Sequence, residues 1–190
     1  MLNIVLIEFD PQHTLLEHSL SLCGFNCLKL SDNEDFLAQL KHYSADVLMF
    51  NVTTPSTKLI ADLQRLNKQS PLPVVIFATD EQTDTIQHVI NAGVSSFIVC
   101  DTVPIVRLNS IIHVAIARFK QQQALKTALE EARVQLEDRK QIDRAKAILI
   151  QTRNFTENEA YHTLRKLAMD RNITLGEMAK NVIAMAELLK

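Results

Sequence analysis

No stretch of this chain is apolar for long enough to cross a bilayer, and Met1-Leu2-Asn3 begins no secretory signal pattern. The expectation is a cytoplasmic protein with no membrane segment. There is no internal repeat, no low-complexity tract and, with only three glycines, no Gly/Ser linker. Cysteine is sparse too: Cys23, Cys27 and Cys100. Cys23 and Cys27 lie close together, but no second pair completes a four-ligand metal site and the count is odd. Buried, reduced thiols are expected, and no metal or cofactor. His13, His18, His42, His88, His113 and His162 show no ligand spacing, so each is assigned to surface or core. An excess of charge is also missing. The net charge is −2; residues 141–190 hold eight Lys or Arg against six Asp or Glu, a net +2, leaving −4 for residues 1–140. Composition therefore does not imply a nucleic-acid partner, and a basic surface would have to come from arrangement.

What is present is an ordinary globular composition, 47% hydrophobic and 22% charged, over 190 residues, enough for a medium domain plus a small one. Residues 1–103 alternate short apolar runs with amphipathic stretches. The runs are Asn3-Ile4-Val5-Leu6-Ile7, Cys27-Leu28-Lys29-Leu30, Val47-Leu48-Met49-Phe50, Val74-Val75-Ile76-Phe77 and Phe97-Ile98-Val99. The charge in the second marks an edge strand. Helical patterns lie between them at Leu15, Leu16, Leu20 and Leu22, at Phe36-Leu37-Leu40, at Leu59-Ile60-Leu63-Leu66, and at Ile86-Val89-Ile90. Gly24 ends the first helix and Gly93 the fourth. Continuous apolar runs are strands covered on both faces. Five of them alternating with helices predict a doubly wound, five-stranded parallel sheet.

This half resembles a response-regulator receiver domain, with departures at every position that carries the family's chemistry. The resemblance implies a carboxylate pair after strand one; here Phe9 interrupts it in Glu8-Phe9-Asp10. It implies an Asp ending strand three; here Asn51 stands there, with Pro55 four residues on as in the family. Asn has no nucleophilic carboxylate oxygen, so no acyl phosphate forms at this degenerate phosphoacceptor position. Strand four ends Phe77-Ala78-Thr79, and Cys100 takes the place of a Lys after strand five. Too few hard oxygens remain for Mg²⁺. A pseudo-receiver is expected, the fold kept and the phosphotransfer lost.

Residues 104–141 connect the halves. Pro104 can open a helix, and no Gly or Pro follows until Gly176. Leu108, Ile111 and Ala115 recur at heptad spacing, as do Leu125, Leu129, Ala132 and Leu136, while Arg118 and Gln122 interrupt the seam. A coiled-coil homodimer is expected here, in preference to a helix packed on its own domain. Ile142 comes six residues after Leu136, a break in register where the dimer would hand over to the C-terminal helices.

Residues 142–190 contain three short helices with clear punctuation. The first runs to about Gln151, with Ile142, Ala145, Ile148 and Leu149 on one face. Asn154 and Phe155 break the pattern. Thr156 with Glu159, and Thr174 with Glu177, form two capping boxes. The stripes of the next helices are Ala160, Leu164, Leu167 and Ala168, then Met178, Ala179, Val182, Ile183 and Ala186. Among these apolar positions lie Arg144, Lys146, Arg153, Arg165, Lys166 and Arg171, with Gln151, Tyr161 and Asn172.

The segment resembles an ANTAR domain, the RNA-binding module of transcription antiterminators. The match rests on Ala145-Lys146-x-Ile148-Leu149, Ala160-Tyr161, Leu164-Arg165-x-x-Ala168-Met169, Asn172, and Leu175-x-x-x-Ala179. The family's usual Gly and Met are Ala147 and Ile150 here. The resemblance implies binding to leader RNA stem-loops through Lys146, Arg165, Tyr161, Arg144, Arg153, Arg171 and Asn172, and no catalysis. Within the family, a missing phosphoacceptor is similar to the NasT and AmiR type of two-component regulator. That type implies control by a ligand-sensing regulatory protein of the NasS or AmiC kind.

The sequence thus predicts an α/β plus all-α chain: a pseudo-receiver over 1–103, a coiled-coil helix over 104–141 and an ANTAR domain over 142–190. A DNA-binding response regulator is the alternative. The third helix, with only Lys180, Asn181 and Glu187 as polar side chains beyond its cap, is a poor recognition helix. Asn51 argues against a third reading, a phosphotransfer partner of a kinase.

Overall fold

The computed structural model describes residues 1–9, 15–30, 36–100, 103 and 105–188. Asp10, Pro104 and the side chain of Leu15 fall outside that set. The five apolar runs form strands β1 (Asn3–Glu8), β2 (Asn26–Leu30), β3 (Val47–Val52), β4 (Val74–Ala78) and β5 (Ser96–Val99). All pair in parallel, in the order β2-β1-β3-β4-β5. Successive strand residues point to opposite faces, so each run feeds two cores. On one face Val5, Ile7, Leu48, Phe50 and Ile76 pack with residues of α2 (Phe36–Leu40), α3 (Thr57–Gln69) and α4 (Thr83–Asn91). On the other, Ile4, Leu6, Val47, Met49 and Phe77 pack with Leu16 and Leu20 of α1 (Leu15–Leu22) and with Leu108, Ile112 and Ala115. Every residue of β3 and β4 is buried, which is why those runs carry no alternation. β2 is an edge strand, as its Lys29 suggested. Leu22, read as part of the α1 stripe, is instead exposed at the C-terminal end of that helix.

A short 3-10 turn over Ile105–Arg107 leads into α5 (Leu108–Arg153), 46 residues without Gly or Pro. Two compact units divide this helix between Gln123 and Ala124. The heptad pattern expected over 104–141 therefore has two destinations. Leu108 and Ala115 are fully buried against the sheet of the first unit, with Ile111 packed beside them, so they face their own domain and not a partner. Leu125, Leu129 and Leu136 belong to the second unit and are 60–71% exposed.

The second unit holds the rest of α5 together with α6 (Glu157–Asp170) and α7 (Leu175–Leu188). Its small core is Ala145, Leu164, Ala168, Met178, Ala179 and Ile183, rimmed by Ile142, Ile148, Leu149 and Leu167. Three alanines let the helices approach closely, and the stripes are those the sequence predicted. Both capping boxes form: the Thr156 and Thr174 hydroxyls accept from the Glu159 and Glu177 N–H groups, and each Glu carboxylate accepts from its Thr N–H. Asn154 and Asn172 follow α5 and α6 with φ of 54° and 53°, the left-handed turn that Asn tolerates better than most residues. Gly176, in the first turn of α7, is buried against the Asp138 carboxylate.

Candidate functional site

The C-terminal edge of a parallel sheet is where an α/β domain of this kind places its chemistry. Here β1 ends in Glu8 and β3 carries Asn51, which are register partners on neighbouring strands. Both are buried, at 8% and 7% exposure. Lys29, from β2, reaches in and forms an ion pair with Glu8 Oε2. That contact holds the Lys29 ammonium above its ordinary pKa. The Phe9 N–H donates to the Asn51 carbonyl at 3.0 Å, while the buried Asn51 amide nitrogen has no hydrogen-bond partner among the described residues. The Thr79 hydroxyl donates to the Thr53 carbonyl at 3.2 Å. An amide offers no nucleophile to a phosphoryl group, and the Glu8 carboxylate already faces an ammonium. Sequence reading took Lys29 only as the mark of an edge strand. A lysine inside an apolar run was the available signal for an internal partner.

Among the described residues, no group of three or more His, Cys, Asp or Glu side chains is placed to hold a metal ion. The three cysteines are reduced, but Cys23 is exposed, contrary to the buried thiol expected. It sits at the open end of α1 beside Gly24 and not beneath the sheet. Burial raises the Cys27 thiol to about 11, keeping it protonated.

In the second unit the predicted cations separate into two groups. Arg144 is tied to Glu187 of α7 at 2.8 Å. Lys146 lies 2.8 Å from Asp143 Oδ1 and 2.9 Å from Glu157 Oε1, and its side chain is only 16% exposed. These contacts, Asp143 first and then Glu157, raise the Lys146 pKa, and Lys146 in turn lowers that of Asp143. Arg153, Arg165, Lys166 and Arg171 are exposed and form no ion pair among the described residues.

Helix α6 organises the second group. Its buried face is Ala160, Leu164 and Ala168. Tyr161 and Arg165, four residues apart, therefore stand one turn from each other on the outward face, with Met169 a further turn on. Tyr161 is 40% and Met169 70% exposed. The Tyr161 and His162 rings sit 6.1 Å apart, edge to face. Arg171 and Asn172 end the same helix, and the left-handed backbone of Asn172 is itself a reason for that residue type. The result is an exposed column of a phenol ring, a guanidinium group and a thioether. The four-residue spacing of Met169 from Arg165 is the sequence signal for its place on this face.

Comparison with known proteins agrees with both halves. A family model described as ANTAR domain matches residues 124–183, so the match takes in much of the stretch assigned from sequence to the coiled coil. The transcriptional regulatory protein PdtaR of Mycobacterium tuberculosis is 25% identical over 183 residues, covering 94% of this chain and 84% of that protein. Among solved structures, the chemotaxis response regulator CheY4 of Vibrio cholerae aligns with a TM-score of 0.52 at 18% identity, over 60% of this chain and 98% of that one. A response regulator receiver domain protein of Clostridium thermocellum gives 0.54 at 20%, over 64% and 99%. At these identities the structural likeness establishes the fold, a receiver fold. Among the described residues no helix is long and apolar enough to cross a membrane.

Proposed function

We propose that this chain, which joins a receiver-like domain to an ANTAR domain over residues 124–183, is an RNA-binding transcription antiterminator that grips stem-loops in leader RNA. The observation that carries the reading is the outward column of α6. Tyr161 and Arg165 stand together there, with the exposed cations Lys166, Arg171 and Arg153 on α6 and the end of α5. A ring of this kind stacks on an unpaired loop base, and the guanidinium groups hold the flanking phosphates. The relative PdtaR, whose name makes it a transcriptional regulator, supports the class. Control passes through partners, in keeping with Asn51 at the phosphoacceptor position: a ligand-sensing regulatory protein, and a second copy of the chain joined through Leu125, Leu129 and Leu136 of α5.

The test is a selection from hairpin RNAs with a fixed stem and randomised loops, run beside a duplex DNA pool of the same length. The expected result is enrichment of particular RNA loops, with Tyr161→Ala weakening the selected hairpin about five- to hundredfold, the loss of one base–aromatic stack. Retention of duplex DNA in preference to every hairpin would overturn the reading and return the DNA-binding alternative.

A further inference from the structure

Lys146 stands in the most heavily patterned part of the ANTAR motif, yet it is the least accessible of the cations there. Its side chain is 16% exposed, whereas Asp143 and Glu157, the two carboxylates on it, are 58% and 74% exposed. An anion approaching this point meets two negative charges before it meets one positive charge. Asp143 lies one turn back on α5, and Glu157 is the first residue of α6. The ammonium thus bridges the last turns of α5 to the first turn of α6, across the left-handed Asn154.

We infer that Lys146 is a positioning residue: through Asp143 and Glu157 it clamps α6 against α5 and so sets the direction in which α6 presents Tyr161 and Arg165, without touching nucleic acid itself. The inference rests on the RNA-binding function proposed for this chain. It moves the phosphate contacts to Arg153, Arg165, Lys166 and Arg171. Arg144 makes a looser version of the same link to α7, both its side chain and that of Glu187 being more than half exposed.

A phosphate contact and a clamp predict opposite signs for one substitution. If Lys146 held a phosphate, Glu157→Gln would remove one of the two carboxylates competing for the ammonium, and with it a repelling charge, and binding would tighten. A clamp loses its far anchor in that variant, and binding weakens. Full-length chains are titrated with one hairpin from the selected pool, by fluorescence anisotropy at several salt concentrations. Lys146→Met and Glu157→Gln should each weaken binding by about two- to hundredfold, the span of coupling between groups in contact, and the double variant should be no worse than the weaker single one. The slope of log affinity against log salt should stay at the wild-type value in both. Arg165→Ala should lower it by about 0.7–0.9. Tighter binding by Glu157→Gln, or a shallower slope in Lys146→Met, overturns the inference.

Should the wild-type chain retain no hairpin at all, the RNA reading fails, and the clamp is still read from thermal unfolding of the same variants without RNA. There the losses in Tm from Lys146→Met and Glu157→Gln should not add. Additive losses overturn the clamp.

Discussion

Adding one methyl group at Gly176 separates two effects of opposite sign. A Cβ built there lies 2.5 Å from Asp138 Oδ1, 2.6 Å from Cγ and 2.9 Å from Oδ2. All three distances are well inside van der Waals contact, so the carboxylate must move. Moving it also breaks up the contact with Lys180, which is 3.9 Å away. Overpacking in a sealed core costs about 1–3 kcal/mol, and the lower end applies here because the Asp138 side chain is 38% exposed and can swing toward solvent. Against it, Ala in place of Gly within a helix is favourable by about 0.8–1.0 kcal/mol, somewhat less in a first turn. The balance for Gly176→Ala is within about 1 kcal/mol of zero. In an Asp138→Ala background the obstruction is gone, and the same substitution should stabilise by up to about 1 kcal/mol. Native-state hydrogen exchange, followed on peptides covering α7, reads the opening free energy of this unit separately from that of the sheet. Equal stabilisation by Gly176→Ala in both backgrounds would show that Asp138 does not press on the glycine, and would refute the close packing of α5 on α7.

Three further outcomes are expected. Incubation with acetyl phosphate and Mg²⁺ should leave the intact mass of the chain unchanged, because Asn51 offers no carboxylate and Glu8 is paired with Lys29; a stoichiometric phosphoryl adduct on the receiver-like domain would contradict this. Leu125→Glu with Leu129→Glu should leave the circular dichroism spectrum intact and sediment as a monomer where the wild-type chain is a dimer. A monomeric wild type, even with RNA bound, removes the α5 interface. The capping boxes should give the helical unit an acid-labile component. The Glu159 and Glu177 carboxyls are held below their ordinary value of 4.5 by the Thr156 and Thr174 N–H groups. A lowered folded pKa means that their contribution is complete above 4.5 and is lost as the pH falls through the folded values. Glu159→Gln with Glu177→Gln should therefore flatten the acid limb of the helicity curve, and an unchanged limb would show that the boxes carry no such linkage.

Much of this protein was legible in local pattern. The strands are apolar without alternation because helices cover both faces, and that requirement is written into Val47-Leu48-Met49-Phe50 and Val74-Val75-Ile76-Phe77 directly. The capping boxes need only residues three apart, so Thr156 with Glu159 and Thr174 with Glu177 declared the starts of α6 and α7. Asn154 likewise announced a helix end. Asn172 lies in the motif that implies RNA contact, and its φ of 53° shows the same left-handed turn at the end of α6.

Tertiary structure decided what local pattern leaves degenerate. A heptad repeat looks the same whether its stripe meets a partner helix or the sheet of its own domain. Only the fold divided it, sending Leu108 and Ala115 into the core and leaving Leu125, Leu129 and Leu136 in solvent. Ion pairing across elements was equally hidden. Lys146 with Glu157 is 11 residues apart and Arg144 with Glu187 is 43, separations at which no periodicity relates two charges. Which cations remain available to a phosphate therefore depends on how helices pack, and composition, with its near-balanced charge, carries none of that information.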